Sequence, residues 1–317
     1  MAPRRDETDR VRAHRPPPQL ETLRELTTPN VHGIHNGAFY RTNSHGFRGP
    51  EYAIPKPAGV FRIVIAGDSV TMGTGVREEQ AYAHLLEEDL NARGGAPRYE
   101  VLNIGLNGLD IRQVLDRLEL VGLDFDPDLV IYGCTLNDIN GPAYRKSMGP
   151  NSRLEQLGRY TRFAESRSYL LRVVWPRWES LVDLVHARSG TYLYEVRDNY
   201  FDNPRAWNDF TRGLDRLAHL AAEHHVPAVV FIHASLEYLN VFHPYRAVYA
   251  RIAAAAEARG LATVQSFPAV RGREETSLWV SLLDAHPNAA GHRLFARALV
   301  DGLTHLRPSV LGRAAAP

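Results

Sequence analysis

Cysteine is almost missing from this chain. Cys134 stands alone, so no intrachain disulfide can form and nothing in the sequence calls for an oxidising compartment. Lysine is nearly as scarce: Lys56 and Lys146 are the only two among 37 basic residues, the others being arginine. With Ala and Gly plentiful, this fits the codon usage of a GC-rich genome better than a phosphate-binding surface. Neither sign of charge is in excess. A formal net charge of +1 with 23% charged residues removes the electrostatic case for nucleic acid or for an anionic membrane as partner. Long apolar runs are absent too. Nothing approaches the roughly 20 residues a membrane helix needs, and the charged start Met1-Ala2-Pro3-Arg4-Arg5-Asp6 leads into no apolar stretch of the ~7–15 residues a secretory signal requires. A cytoplasmic protein without a membrane span is expected. No Gly-rich loop of the P-loop type occurs, and no cofactor is expected.

What is there begins with a break in texture. Residues 1–28 are rich in Arg, Pro and acids, including Pro16-Pro17-Pro18, and are expected to form a disordered tail. Residues 29–60 turn to Gly, His, Asn and aromatics, which suggests a hairpin-like lead-in packed on the main domain. Its histidines, His32, His35 and His45, match no metal-ligand spacing, and no metal is expected. Residues 61–307 form the main domain, and 308–317 a C-terminal tail.

Within the main domain, apolar runs at Phe61–Ala66, Tyr99–Ile104, Leu129–Cys134, Val226–His233 and Leu261–Ser266 have the length and composition of strands buried on both faces. Helical periods alternate with them, at Gln80–Ala92, Leu109 to about Leu123, Trp207–His224, Pro244–Arg259 and Ala289–Leu303. The pattern predicts a mostly parallel α/β sheet with right-handed crossovers. Residues 139–206 interrupt it. They carry many aromatics and are too long for an ordinary loop, which suggests an inserted, partly helical cap, with Ser168–His186 its best helical stretch.

Strand ends on such a sheet are where chemistry collects. The first run leads into Gly67-Asp68-Ser69, where Ser69 is either a nucleophile or a turn serine capping the next helix. The second ends in Asn103-Ile104-Gly105-Leu106-Asn107-Gly108, the third in Thr135-Leu136-Asn137-Asp138. Just before the last helix stands Asp284-Ala285-His286-Pro287-Asn288, a His on a loop with a carboxylate two residues earlier. A serine hydroxyl becomes nucleophilic only when a base takes its proton, and an imidazole base needs a carboxylate to fix its tautomer.

Together, in this order, the four stretches resemble the SGNH/GDSL hydrolase family over about Asn43 to Leu303, including a lead-in Asn43-Ser44-His45-Gly46-Phe47-Arg48-Gly49. The resemblance implies a flavodoxin-like three-layer α/β/α sandwich. It also implies Ser69 as nucleophile, His286 as base, Asp284 as its orienting partner, and the Ser69 N–H, Gly108 N–H and Asn137 amide as oxyanion donors. Two features depart from the family pattern: only Ala285 separates Asp284 from His286 where two residues are usual, and the third block is long. An ester hydrolase acting on a small-molecule or acylated substrate is expected; the alternative is an acyltransferase using the same acyl-Ser69 intermediate. An α/β-hydrolase elbow is excluded because Gly67-Asp68-Ser69-Val70-Thr71 lacks its second Gly. Cys134, inside a buried strand end, is a poor nucleophile.

Overall fold

The computed structural model describes residues 19–20, 22–95, 97–139, 192–239, 242–282 and 284–306. The lead-in forms an antiparallel hairpin, β1 (His32–His35) and β2 (Ala38–Arg41). The five apolar runs become β3 (Val60–Gly67), β4 (Arg98–Asn103), β5 (Leu129–Cys134), β6 (Ala228–Ile232) and β7 (Ala262–Gln265). They pair in parallel in the order β4-β3-β5-β6-β7, with Ile63 opposite Val101 on one side and Ile65 opposite Ile131 on the other. Counted along the sheet's own strands this is the 2-1-3-4-5 order of flavodoxin-like folds, which places ligands at the carboxyl ends of β3 and β5, where the strand order reverses. Every residue of β5 and β6, and all of β3 after Val60, is buried, which is why these runs lack polar alternation.

Helices cover both faces. α1 (Leu23–Thr27) precedes the hairpin, and α2 (Ser69–Met72) leaves the tip of β3. α3 (Tyr82–Asn91), α4 (Ile111–Arg117), α5 (Tyr192–Arg197), α6 (Pro204–Glu223), α7 (Arg246–Glu257) and α8 (Phe267–Val270) follow, and α9 (Ala289–His305) closes the chain. α3 packs against α9 on one face, while α4, α6 and α7 neighbour one another on the other. A second small hairpin, β8 (Trp279–Ser281) and β9 (Asp284–Pro287), stands before α9. Among the described residues no helix is long and apolar enough to cross a membrane.

The one charged residue in the β3 run is fully buried. Arg62 sits directly opposite Glu100 in the register and bonds to it through Nη2 at 2.6 Å, while Nη1 donates to the Phe125 carbonyl at 2.9 Å. A buried cation is tolerable only when its donors are met in this way.

Several boundaries differ from the sequence expectation. The described part of the segment expected as a tail is ordered: Leu20 N–H donates to the Ile34 carbonyl at 2.8 Å, α1 opens with a Thr22/Glu25 capping box, and Leu20 and Leu26 are buried. Composition averaged through residue 28 hid the Thr-x-x-Glu signal. The helix expected from Leu109 to Leu123 ends at Arg117 and continues as a widened turn over Leu118–Gly122. α6 starts at Pro204, not Trp207, because Asn203 caps it and Pro204 occupies its first position. The stretch Ser168–His186 lies outside the described residues, as do residues 140–191 generally and 307–317.

Three buried histidines are held neutral. Burial pushes His233 and His292 down to about 3 and His243 to about 4, from an ordinary 6.5. His233 stacks on Phe295, with ring centroids 5.4 Å apart, and neither of its nitrogens finds a hydrogen-bond partner among the described residues. Such a group takes up a proton on unfolding, so its contribution to stability is intact above pH 6.5 and is lost as pH falls toward the folded value. Below pH 6.5, urea unfolding should therefore show wild type losing stability relative to His233→Phe by about 1.4 kcal/mol per pH unit. Parallel pH profiles for the two proteins would contradict it.

Candidate active site

The turn after β3 is built around Thr71. A Cβ placed at Gly67, Gly105 or Gly133 would lie 2.1, 2.8 or 2.3 Å from its side chain, so all three strand ends need glycine where α2 settles on the sheet. Thr71 Oγ1 lies 3.0 Å from the Tyr82 hydroxyl, and its carbonyl accepts from Asn103 Nδ2 at 2.7 Å. Asp68 caps α2 by accepting from Val70 N–H at 3.0 Å, the turn-stabilising role its position suggests. Ser69 follows as the first helical residue, so its N–H is among those with no acceptor inside the helix. At the far end, the Arg48 guanidinium donates to the carbonyls of Met72 at 3.0 Å and Gly73 at 2.7 Å.

His286 arrives from β9, a strand and not the loop expected from sequence. Ser281 pairs with Asp284, and Trp279 with Pro287. On an extended strand residues i and i+2 share a face, so one intervening Ala285 is enough to set Asp284 beside His286. Asp284 Oδ1 accepts from His286 Nδ1 at 2.5 Å and from the His286 backbone N–H at 3.0 Å. The carboxylate can only accept, so Nδ1 carries the proton and Nε2, 2.9 Å from Ser69 Oγ, faces the serine as an acceptor. Burial pushes Asp284 upward, but its bonds to His286 and to Asn36 outweigh this and hold it well below the usual carboxylate range. Burial also opposes the imidazolium, yet the hydrogen bond and charge of Asp284 raise His286 above 6.5.

Asn137 follows β5 in a tight turn over Leu136–Ile139. Its Oδ1 accepts from Thr135 Oγ1 at 2.8 Å and its Nδ2 lies 3.3 Å from Asp68 Oδ2. Thr135 Oγ1 also lies 3.0 Å from Asp68 Oδ2 and 2.8 Å from Asp138 Oδ1. Burial and the charge of Asp68 push Asp138 well above the usual carboxylate range, while Tyr132 hydroxyl and Thr135 N–H donate to its other oxygen; burial raises Asp68 as well.

Ser69, Asn137, Asp284 and His286 line one cleft of about 460 Å³, together with Leu136, Tyr192, Ala234, Leu236, Glu237 and Pro287. Gly108, expected as a third oxyanion donor, is not among its lining residues. It sits with φ 69° in the exposed turn after β4, next to Asn107. Of the aromatics in the expected cap, Tyr192 lines the cleft and Tyr200 is buried in the core; Tyr144 and Tyr160 lie outside the described residues. Cys134 is buried, and burial raises its thiol well above the ordinary range. Sequence reasoning missed Thr135 and Asn36, because a threonine bridge and a partner 248 residues from Asp284 leave no local pattern.

Residues 65–294, well over half of the chain, match the sequence profile of the GDSL-like lipase/acylhydrolase family. The chain belongs to that family. Similar solved structures include TesA (16% identity, TM-score 0.48, covering 77% of this chain and 99% of that one). The acetyl xylan esterase AlAXEase is another (16% identity, TM-score 0.46, 77% and 100%). So is a catalytic mutant of Axe2, an acetylxylan esterase from Geobacillus stearothermophilus (16% identity, TM-score 0.48, 77% and 94%). No curated protein matches the sequence. As a GDSL-like acylhydrolase the chain is an ester hydrolase with the α/β fold described above.

The upward shift of Asp138 can be tested directly. Asp138→Asn mimics the neutral acid and should keep stability within about 1 kcal/mol, whereas Asp138→Ala strands two buried donors and should cost about 3 kcal/mol in urea unfolding. A large loss in the Asn variant would mean Asp138 is ionised.

Proposed function

We propose that this chain cleaves a carboxylic ester through an acyl-enzyme on Ser69. The observation that carries the reading is the position of His286, bonded to Ser69 Oγ at 2.9 Å on one nitrogen and to Asp284 at 2.5 Å on the other. Ser69 Oγ attacks the ester carbonyl as its proton passes to His286 Nε2, and Asp284 stabilises the imidazolium that forms. The carbonyl oxygen becomes an oxyanion met by the Ser69 N–H and the Asn137 amide; each fixed donor is worth roughly 2.7–4 kcal/mol. The C–O bond to the alcohol then breaks as His286 returns the proton to the leaving oxygen. Water repeats the sequence, freeing the acid and Ser69. Leu136, Ala234, Leu236 and Pro287 give the cleft apolar walls beside Ser69 that suit a short acyl group.

Burial and the charge of Asp68 favour the protonated form of Asp138, and that form puts less like charge behind the Asn137 amide as an oxyanion develops.

Ser69→Ala and His286→Ala should each abolish release of p-nitrophenol from p-nitrophenyl acetate while thermal unfolding stays cooperative. Asn137→Ala should lower kcat by about 10²–10³ with a smaller change in KM, since its contact strengthens as the oxyanion forms. Substantial residual rate in either of the first two variants would overturn the mechanism. The base works only when neutral, so kcat/KM should rise with pH through a midpoint above 6.5. Asp284→Asn should lower kcat by roughly 10⁴ and move that midpoint below the wild-type value, because burial is then opposed on His286 by Asp68 alone. A midpoint that Asp284→Asn leaves in place would remove Asp284 from the triad.

A further inference from the structure

We propose that the β1–β2 hairpin is a working part of the active site, with Asn36 as a positioning residue that orients Asp284 toward His286. This rests on the esterase reading above. Asn36 and Gly37 form the two-residue loop between β1 and β2, with φ of 46° and 78°. Two left-handed residues in such a loop make the Asn-Gly turn favoured by tight hairpins. The turn aims the Asn36 amide across the chain, where Nδ2 donates to Asp284 Oδ2 at 2.6 Å. His286 already occupies Oδ1 twice. Both carboxylate oxygens are therefore engaged from opposite sides, and rotation of Asp284 away from the imidazole breaks one bond or the other.

The preceding residue holds the loop that follows β4. His35 Nδ1 faces the Leu20 carbonyl at 2.7 Å and must donate to it, so Nε2 accepts from Asn107 Nδ2 at 2.8 Å. Asn107 Oδ1 in turn accepts from the Thr74 hydroxyl, and Gly108 is the next residue. One turn thus ties the Asp284 strand and the Gly108 loop together. Neither His35 nor Asn36 falls within the family-matched region, which begins at residue 65. The contribution belongs to the segment added before the common domain.

The test compares Asn36→Gly, which keeps a left-handed turn and removes the amide, with Asn36→Asp, which keeps the turn sequence and replaces a donor with a charged acceptor. The groups facing His286 are Asp284 on β9, Asp68 and Ser69 at the β3 tip, neutral His292 on α9 and Glu237 across the cleft. Without the amide the Asp284 carboxylate is free to turn away from the imidazole, so its charge bears less on the imidazolium. Asn36→Gly should lower kcat on p-nitrophenyl acetate about tenfold with KM unchanged and move the acid limb of kcat/KM to lower pH, the direction of Asp284→Asn. Asn36→Asp sets a second carboxylate against Asp284 and should move the limb the other way, to higher pH, and it carries the test if the Gly variant fails to fold. In an Asp284→Asn background, Asn36→Gly should cause no further loss. The proposal is overturned if the single variants keep wild-type kcat and pH profile, or if Asn36→Gly costs the same factor with Asp284 already removed. Activity surviving in Ser69→Ala would instead overturn the esterase reading and leave the Asn36 comparison to be judged by the pH limb alone.

Discussion

The space that Thr71 occupies exists only because Gly67, Gly105 and Gly133 have no Cβ. Each of these glycines lies at or just past the end of a neighbouring parallel strand, and a methyl group at any of them would approach the Thr71 side chain within 2.8 Å. The cost of such overlap is not local, since close-packed interiors transmit displacement instead of absorbing it. Thr71 is two residues past Ser69, so pushing it outward would lift the serine from the plane in which His286 meets it. Parallel pairing brings the strand tips to one edge, and the glycines let the Ser69 turn sit down on that edge.

Around this turn the acids are separated by environment. Asp284 keeps its charge because its two oxygens receive three donors from His286 and Asn36. Asp138 is buried, and burial together with the charge of Asp68 pushes it well above the usual carboxylate range. Asp68 lies between the two, capping α2 while staying in contact with Thr135 and Asn137. Donors and burial thus push carboxyls of one site in opposite directions, Asp284 down and Asp138 up.

Much of this was legible in the residues, and what was not has physical causes. The five strands stood out because burial on both faces leaves continuous apolar runs, and the four site blocks because they sit at strand tips or before the last helix. β8 and β9 did not, since Trp279–Ser281 and Asp284–Pro287 are too short and mixed for a period to show. That omission turned His286 into a loop residue and made the single Ala285 spacer look like a defect, when a strand needs that spacing. The start of α6 was misplaced because Asn203-Pro204 was passed over for the apolar Trp207. Hydrogen bonds such as Arg48 to Met72 and Gly73, or Asn36 to Asp284, leave no trace in local composition, because their partners meet only after the chain has closed.

Those late contacts share one origin. Arg48 fixes the carboxyl end of α2, His35 the loop that carries Gly108, and Asn36 the strand that carries Asp284. All three residues come from the segment before β3, which is itself pinned by Tyr40 hydroxyl to the Leu26 carbonyl at 2.7 Å and by Leu20 to Ile34. The sheet aligns the strand tips but does not prevent the loops beyond them from moving independently. A single segment bonded to three of those loops couples them, so a displacement of one is resisted by the others. Reacting groups that must stay within a fraction of an ångström of their working geometry gain more from such coupling than from any one bond in it.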